Sequence, residues 1–132
     1  RRRQRQMCKE TGSKEIRFRV YQLRLGQELP PVPFAFQEFS KLQKAGYTQP
    51  PAELYRLTCE DNILCNRSST ESDVLQRLFA AYNRLVEKEH IGRYMAASDV
   101  VQVQDGPNES YYYYDGQKRF RRVKFSPALK AA

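Results

Sequence analysis

Tryptophan is absent, histidine occurs once, at His90, and the three cysteines, Cys8, Cys59 and Cys65, show no CxxC or Cys/His spacing. Each shortage removes a class of function. A structural zinc site needs clustered Cys or His ligands, and a disulfide framework needs an even set of cysteines, so neither is expected and the thiols read as free, in a reducing intracellular compartment. With one histidine and no nucleophile beside it there is no Ser/His or Cys/His pair. The six glycines form no phosphate-cradling loop, and no nucleophile elbow occurs. No apolar run approaches the ~18 residues that cross a bilayer, and the basic start is not followed by an apolar signal-peptide core. The expectations are therefore no enzyme, no cofactor, no metal, no membrane span and a cytoplasmic location.

What the chain has in excess is positive charge, +8 over 132 residues, and its distribution matters more than its size. Residues 1–24 hold nine Lys/Arg and two Glu, residues 25–115 eight against thirteen Asp/Glu, and residues 116–132 six and no acid. The body is acidic and the ends are basic, whereas a phosphate-binding domain usually spreads its charge over one folded face. The opening "RRRQRQMCKETGSK" has no apolar period, and residues 1–14 read as a disordered arm or a linker from a longer chain. Residues 15–126 read as one domain, large enough to bury a core unaided, and 127–132 as a tail.

Within the body, Ile16, Phe18 and Val20 alternate with Arg17, Arg19 and Tyr21, the pattern of a strand with one buried face. Pro30, Pro31 and Pro33 interrupt regular structure. Pro33 suits the first turn of a helix over Phe34–Ala45, in which Phe36, Phe39 and Leu42 recur and Gly46 is the stop. Leu54–Cys59 reads as a short second strand ended by Asp61-Asn62. After candidate caps at Ser69, Thr70 and Ser72, the residues Val74, Leu75, Leu78, Phe79, Tyr82, Leu85 and Val86 make one apolar stripe, a helix over Asp73–Lys88. Three strands follow, at Val100–Val103, in the tyrosines 111–114, and ending at Phe125. The fold class is α+β: a mostly antiparallel sheet of about five strands, the last three a meander, with one long and one short helix packed on it.

"FRVYQLRL", "AELYRLTCEDNIL", "LQRLFAAYNRL", and above all "IGRYMAASDVVQV" followed by "YYYYDGQKRFRRVKF", together resemble the YodL-like domain, a small bacterial domain. Gly92, Arg93, Ser98, Asp99, Val100 and Val101 match its signature, as do Tyr112, Tyr113, Asp115, Phe120, Val123 and Phe125. Tyr94, Ala96 and Arg119 depart from it. The resemblance covers roughly residues 16–126. It implies a domain carried by Firmicutes, often on mobile elements, with no established enzymatic activity, and a role in counter-defence or element maintenance.

Two places carry candidate function. Ser98-Asp99, directly before a strand, reads as a structural turn whose short side chains bond nearby backbone N–H groups, with Arg93 pairing either Asp99 or a carbonyl of that turn. In the hairpin, a two-residue loop at Asp115-Gly116 or a longer one over Asp115–Lys118 both put Tyr111, Tyr113, Phe120 and Arg122 on one face. Both put Tyr112, Tyr114, Arg119, Arg121 and Val123 on the other. The first is expected to be the core face. The second interleaves rings and guanidinium groups, which suits base stacking with phosphate contact or ordinary cross-strand pairing, and pairing is preferred because tyrosine is a good strand former. The candidate interaction surface is Tyr112, Tyr114, Arg119, Arg121 and Arg93. The expected partner is a protein; the alternative is salt-dependent nucleic-acid binding through the basic ends and the Tyr/Arg face.

Overall fold

A computed structural model of the chain describes residues 12–127. Most of the expected arm, with Cys8, lies outside them, as do residues 128–132 of the expected tail. Ser13 and Lys14 already belong to the first strand. That strand, β1 (Ser13–Leu23), lies between β2 (Tyr55–Asn66) and β3 (Val100–Asp105), followed outward by β4 (Asn108–Gly116) and β5 (Arg119–Val123), so the order is β2-β1-β3-β4-β5. Every pair is antiparallel, and β3, β4 and β5 form the meander. The register follows the alternation in β1: Ile16 faces Ile63, Phe18 faces Val103 and Val20 faces Val101, all on one side of the sheet.

That side is covered by α2 (Glu71–Glu89); α1 (Phe39–Lys44) lies on the other. The helix α2 is longer than the apolar stripe because Thr70 is its cap. Its hydroxyl accepts from Asp73 N at 3.1 Å while the Asp73 carboxylate accepts from Thr70 N at 3.0 Å, a reciprocal capping box. Val74, Leu75, Leu78, Tyr82 and Val86 pack on Ile16, Phe18, Val20, Val101 and Val103. Full burial of a side chain such as Leu78 stabilises the fold by about 1.5–3 kcal/mol. His90 closes the helix in the left-handed conformation, φ 56°, with its side chain exposed.

Three sequence expectations are corrected here. The Phe34–Ala45 helix is shorter: Val32–Gln37 forms turns, with Ala35 N to Val32 O at 3.1 Å and Gln37 N to Phe34 O at 3.0 Å, so Pro33 sits in a turn. Phe36 has φ 62°, which no right-handed helix admits, and α1 begins only where the Asp115 carboxylate accepts from Phe39 N at 2.8 Å. The second strand is longer than expected. Asp61 and Asn62 continue it, opposite Phe18 and Arg17, because a partner strand of matching length outweighs their weak strand propensity. The hairpin uses neither expected loop: Gln117 and Lys118 make the turn, with φ 54° and 59°, and Gly116 pairs with Arg119 across a bulge at Asp115.

The second face of the sheet is half covered. Tyr21, Leu23, Tyr55, Val100, Tyr113 and Phe125 are buried there against Phe34, Phe39 and Leu42. Over the other half, Arg17, Arg19, Glu60, Gln102, Gln104 and Glu109 line an open polar cleft of about 200 Å³. Cys59 and Cys65 are free thiols and buried, and burial pushes the Cys59 thiol up to about 12. No helix among the described residues is long and apolar enough to cross a membrane.

Candidate functional site: the loop 91–99 and the Phe36 corner

The segment joining α2 to β3 is held by buried polar side chains. At Gly92, φ 56°, a β-carbon would stand 2.7 Å from Gln22 Oε1 and 2.9 Å from Tyr82 OH, so only glycine fits. Gln22 is fully buried in β1. Its Nε2 donates to Arg93 O and to Asp99 Oδ2, both at 2.9 Å, and its Oε1 accepts from Arg93 N at 3.0 Å. Tyr82 OH donates to Arg93 O at 2.6 Å, and Asn83 Oδ1 accepts from Met95 N at 2.9 Å, which fixes the loop to α2 as well.

Ser98 and Asp99 carry the turn into β3. Ser98, at φ 87°, donates its N–H to Tyr114 O at 3.0 Å and accepts at its carbonyl from Tyr55 OH at 2.7 Å. Its hydroxyl oxygen accepts from Phe36 N at 3.1 Å. Asp99, 1% exposed, accepts at Oδ2 from Ala96 N at 2.9 Å as well as from Gln22. Burial pushes its carboxyl up to about 7, against the opposing pulls of the Ala96 N–H, the Gln22 amide and the Arg93 charge. Asp99 Oδ1 and Arg93 Nε are buried with no partner among the described residues.

Arg93 pairs with neither of its expected partners. Its Nη2 donates to Leu23 O at 3.1 Å, at the end of β1, and its guanidinium lies 5.6 Å from the centre of the Phe36 ring. Phe36 itself is 49% exposed. A phenylalanine in the left-handed region costs roughly 1–2 kcal/mol in backbone sterics, and here the Ser98 hydroxyl and the Arg93 guanidinium hold it there.

The expected Tyr112/Tyr114/Arg119/Arg121 face is not assembled. The bulge and the Gln117-Lys118 turn shift the register by one, so Tyr114 faces Phe120 and Tyr112 faces Arg122. Tyr112 and Tyr114 are buried beneath α2: Tyr112 OH donates to the Glu71 carboxylate, and the Tyr114 ring makes tilted contacts with Phe79 and Phe120, their centres 5.4 and 4.8 Å away. Tyr113 is buried on the opposite face, with its OH donating to Gln37 O at 2.8 Å. Arg119 and Arg121 are exposed. Arg121 covers Phe39 at 4.7 Å from the ring centre and lies 3.9 Å from the Asp115 carboxylate. Two expected arginines thus do sit on aromatic rings, but the rings are Phe36 and Phe39. Sequence reasoning missed Phe36 because it placed it on a helix, and Phe39, rightly placed on one, because nothing in the sequence brings it to Arg121; the signal available for Phe36 was the three prolines just ahead.

Among the described residues no group of three or more His, Cys, Asp or Glu is placed to hold a metal. The family model of the YodL-like domain matches residues 17–125, a span that includes most of β1, the Gly92–Asp99 loop and the hairpin. No curated protein and no solved structure matches the chain. The chain belongs to the YodL-like domain family.

Proposed function

We propose that this member of the YodL-like domain family is a non-enzymatic interaction module that binds another protein at the corner formed by Phe36 and Arg93. The observation that carries the reading is Phe36: a half-exposed ring, held at φ 62° by Ser98 and Arg93. Backbone strain of this kind persists only where surrounding structure enforces it, and it gathers at functional places. Aromatic rings beside arginines are also the side chains that dominate protein–protein binding energies. Ser98 and Asp99, the residues of the motif with reactive side chains, spend them on backbone N–H groups and on Gln22. The setting we propose is a protein of a bacterial mobile element, acting in counter-defence or element maintenance.

The test compares wild type with Phe36→Gly. Glycine relieves the positive φ but costs chain entropy and the packing of the half-buried ring, so the melting temperature should fall by a few degrees and both chains are compared at a temperature where they are folded. Immobilised full chain is expected to retain a protein from a nuclease-treated bacterial lysate, and the variant to lose it. Retention of the same protein by both, or capture of nucleic acid alone before nuclease treatment, would reject the reading.

A further inference from the structure

The strand β5 ends the sheet on the side away from β2. Which of its main-chain groups face outward follows from the register. Tyr114 donates its N–H to Asp99 O and accepts from Ser98 N, so Tyr114, and by alternation Tyr112, turns its N–H and C=O toward β3. Tyr111 and Tyr113 therefore bond to β5, and their partners Val123 and Arg121 bond back. Phe120 and Arg122 are left with N–H and C=O on the outer edge. On either side the groups are already used: Lys118 O accepts from Gln76 Nε2 at 2.9 Å, and Lys124 N donates to Gln49 Oε1 at 2.9 Å. Among the described residues nothing closes the edge between them.

The side chains that β5 itself brings to this opening are basic, with Glu109, Glu71 and Asp115 nearby. Lys118, Arg119, Arg121, Arg122 and Lys124 are all exposed, and no Asp or Glu follows Asp115 in the chain. Two of them already meet a carboxylate, Arg121 at 3.9 Å from Asp115 and Arg122 at 3.4 Å from Glu71, but at long distances and with both arginines more than half exposed, while Arg119 and Lys124 make no ion pair among the described residues. Arg121 and Arg122, paired with Tyr113 and Tyr112, lie on opposite faces of the sheet.

We propose that the edge of β5 accepts an extended acidic segment of another protein as an added strand. Its main chain bonds to Phe120 and Arg122, and its carboxylates, at successive positions, meet Arg121 on one face and Arg122 on the other. Basic side chains on an edge oppose pairing with a second copy of the same edge, and that repulsion selects an acidic strand over self-association. A nucleic acid is the poorer fit, because the rings of Tyr112 and Tyr114 that could stack a base lie beneath α2. The proposal rests on the reading of the domain as protein-binding and names a second surface for it.

The probe is a blocked, fluorescent peptide in which adjacent Glu-Asp pairs, one carboxylate for each face, are separated by single Val or Thr residues; it is titrated with the full chain and followed by anisotropy. Binding that weakens with salt is expected, with Arg122→Glu at least about tenfold weaker. The same peptide methylated at every backbone nitrogen keeps its charge and loses its donors, and it should also bind at least about tenfold more weakly. Equal affinity for the methylated peptide would overturn strand addition, and so would an oligothymidylate that binds more tightly than the acidic peptide. Phe36→Gly should leave peptide binding unchanged. Loss of the peptide with retained capture of a Phe36-dependent protein sinks the added strand alone, and loss of both sinks the protein-binding reading.

Discussion

Asp99 ties the family motif to a measurable property. Its carboxyl, ordinarily near 3.8 and here about 7, holds a proton in the folded state that the unfolded chain has already released between those values. Stability therefore falls as pH rises through that window and levels off above it, by about 1.4 kcal/mol for each pH unit inside it. Asp99→Asn keeps an oxygen for the Ala96 N–H and the Gln22 amide and cannot ionise. Between about pH 5 and pH 7 the wild type should lose stability relative to this variant; parallel curves would contradict the buried acid. Ser98-Asp99 was legible as a turn because short acceptors before a strand have few other uses. Gln22 was not, since a glutamine in an alternating strand looks like a solvent position and only the loop 91–99 gives it buried partners. Nor was Phe36, whose left-handed backbone is imposed by Ser98, 62 residues away in sequence.

Elements were legible where one periodicity governed them. The stripe from Val74 to Val86 located α2 because its apolar face packs on the sheet from Val74 to Val86, and the cap at Thr70 was among three candidates. The hairpin resisted because its strongest local signal, Asp115-Gly116, serves other ends: Asp115 starts α1 through Phe39 N, and Gly116, φ 89°, makes the bulge. The turn falls instead on Gln117 and Lys118, two residues poorly suited to positive φ, held by Lys118 N donating to Tyr114 OH at 2.8 Å. Replacing Gln117-Lys118 with Asn-Gly, which favours such turns, should stabilise the domain by about 1 kcal/mol and raise its melting temperature by a few degrees. A lowered melting temperature would show that the turn is elsewhere.

At the scale of the molecule, the two faces of the sheet divide the work. One is sealed by α2, and the other is covered where Phe34, Phe39 and Leu42 pack; there Arg121 of β5 lies over Phe39, three residues from Phe36 in the chain. The α+β class and the meander could be read from the order of elements; the second buried face could not, because Tyr111–Tyr114 are all apolar enough for either side and both sides turned out to be occupied. The most direct test is hydrogen exchange of backbone amides in the free chain and in complex with the protein it captures. In the free chain the amides of Phe120 and Arg122 should exchange fast and that of Phe36, bonded to Ser98, more slowly. On binding, protection should rise at Phe36–Phe39 and at Phe120 and Arg122. Protection confined to the outer surface of α2, with these amides unchanged, would contradict the account.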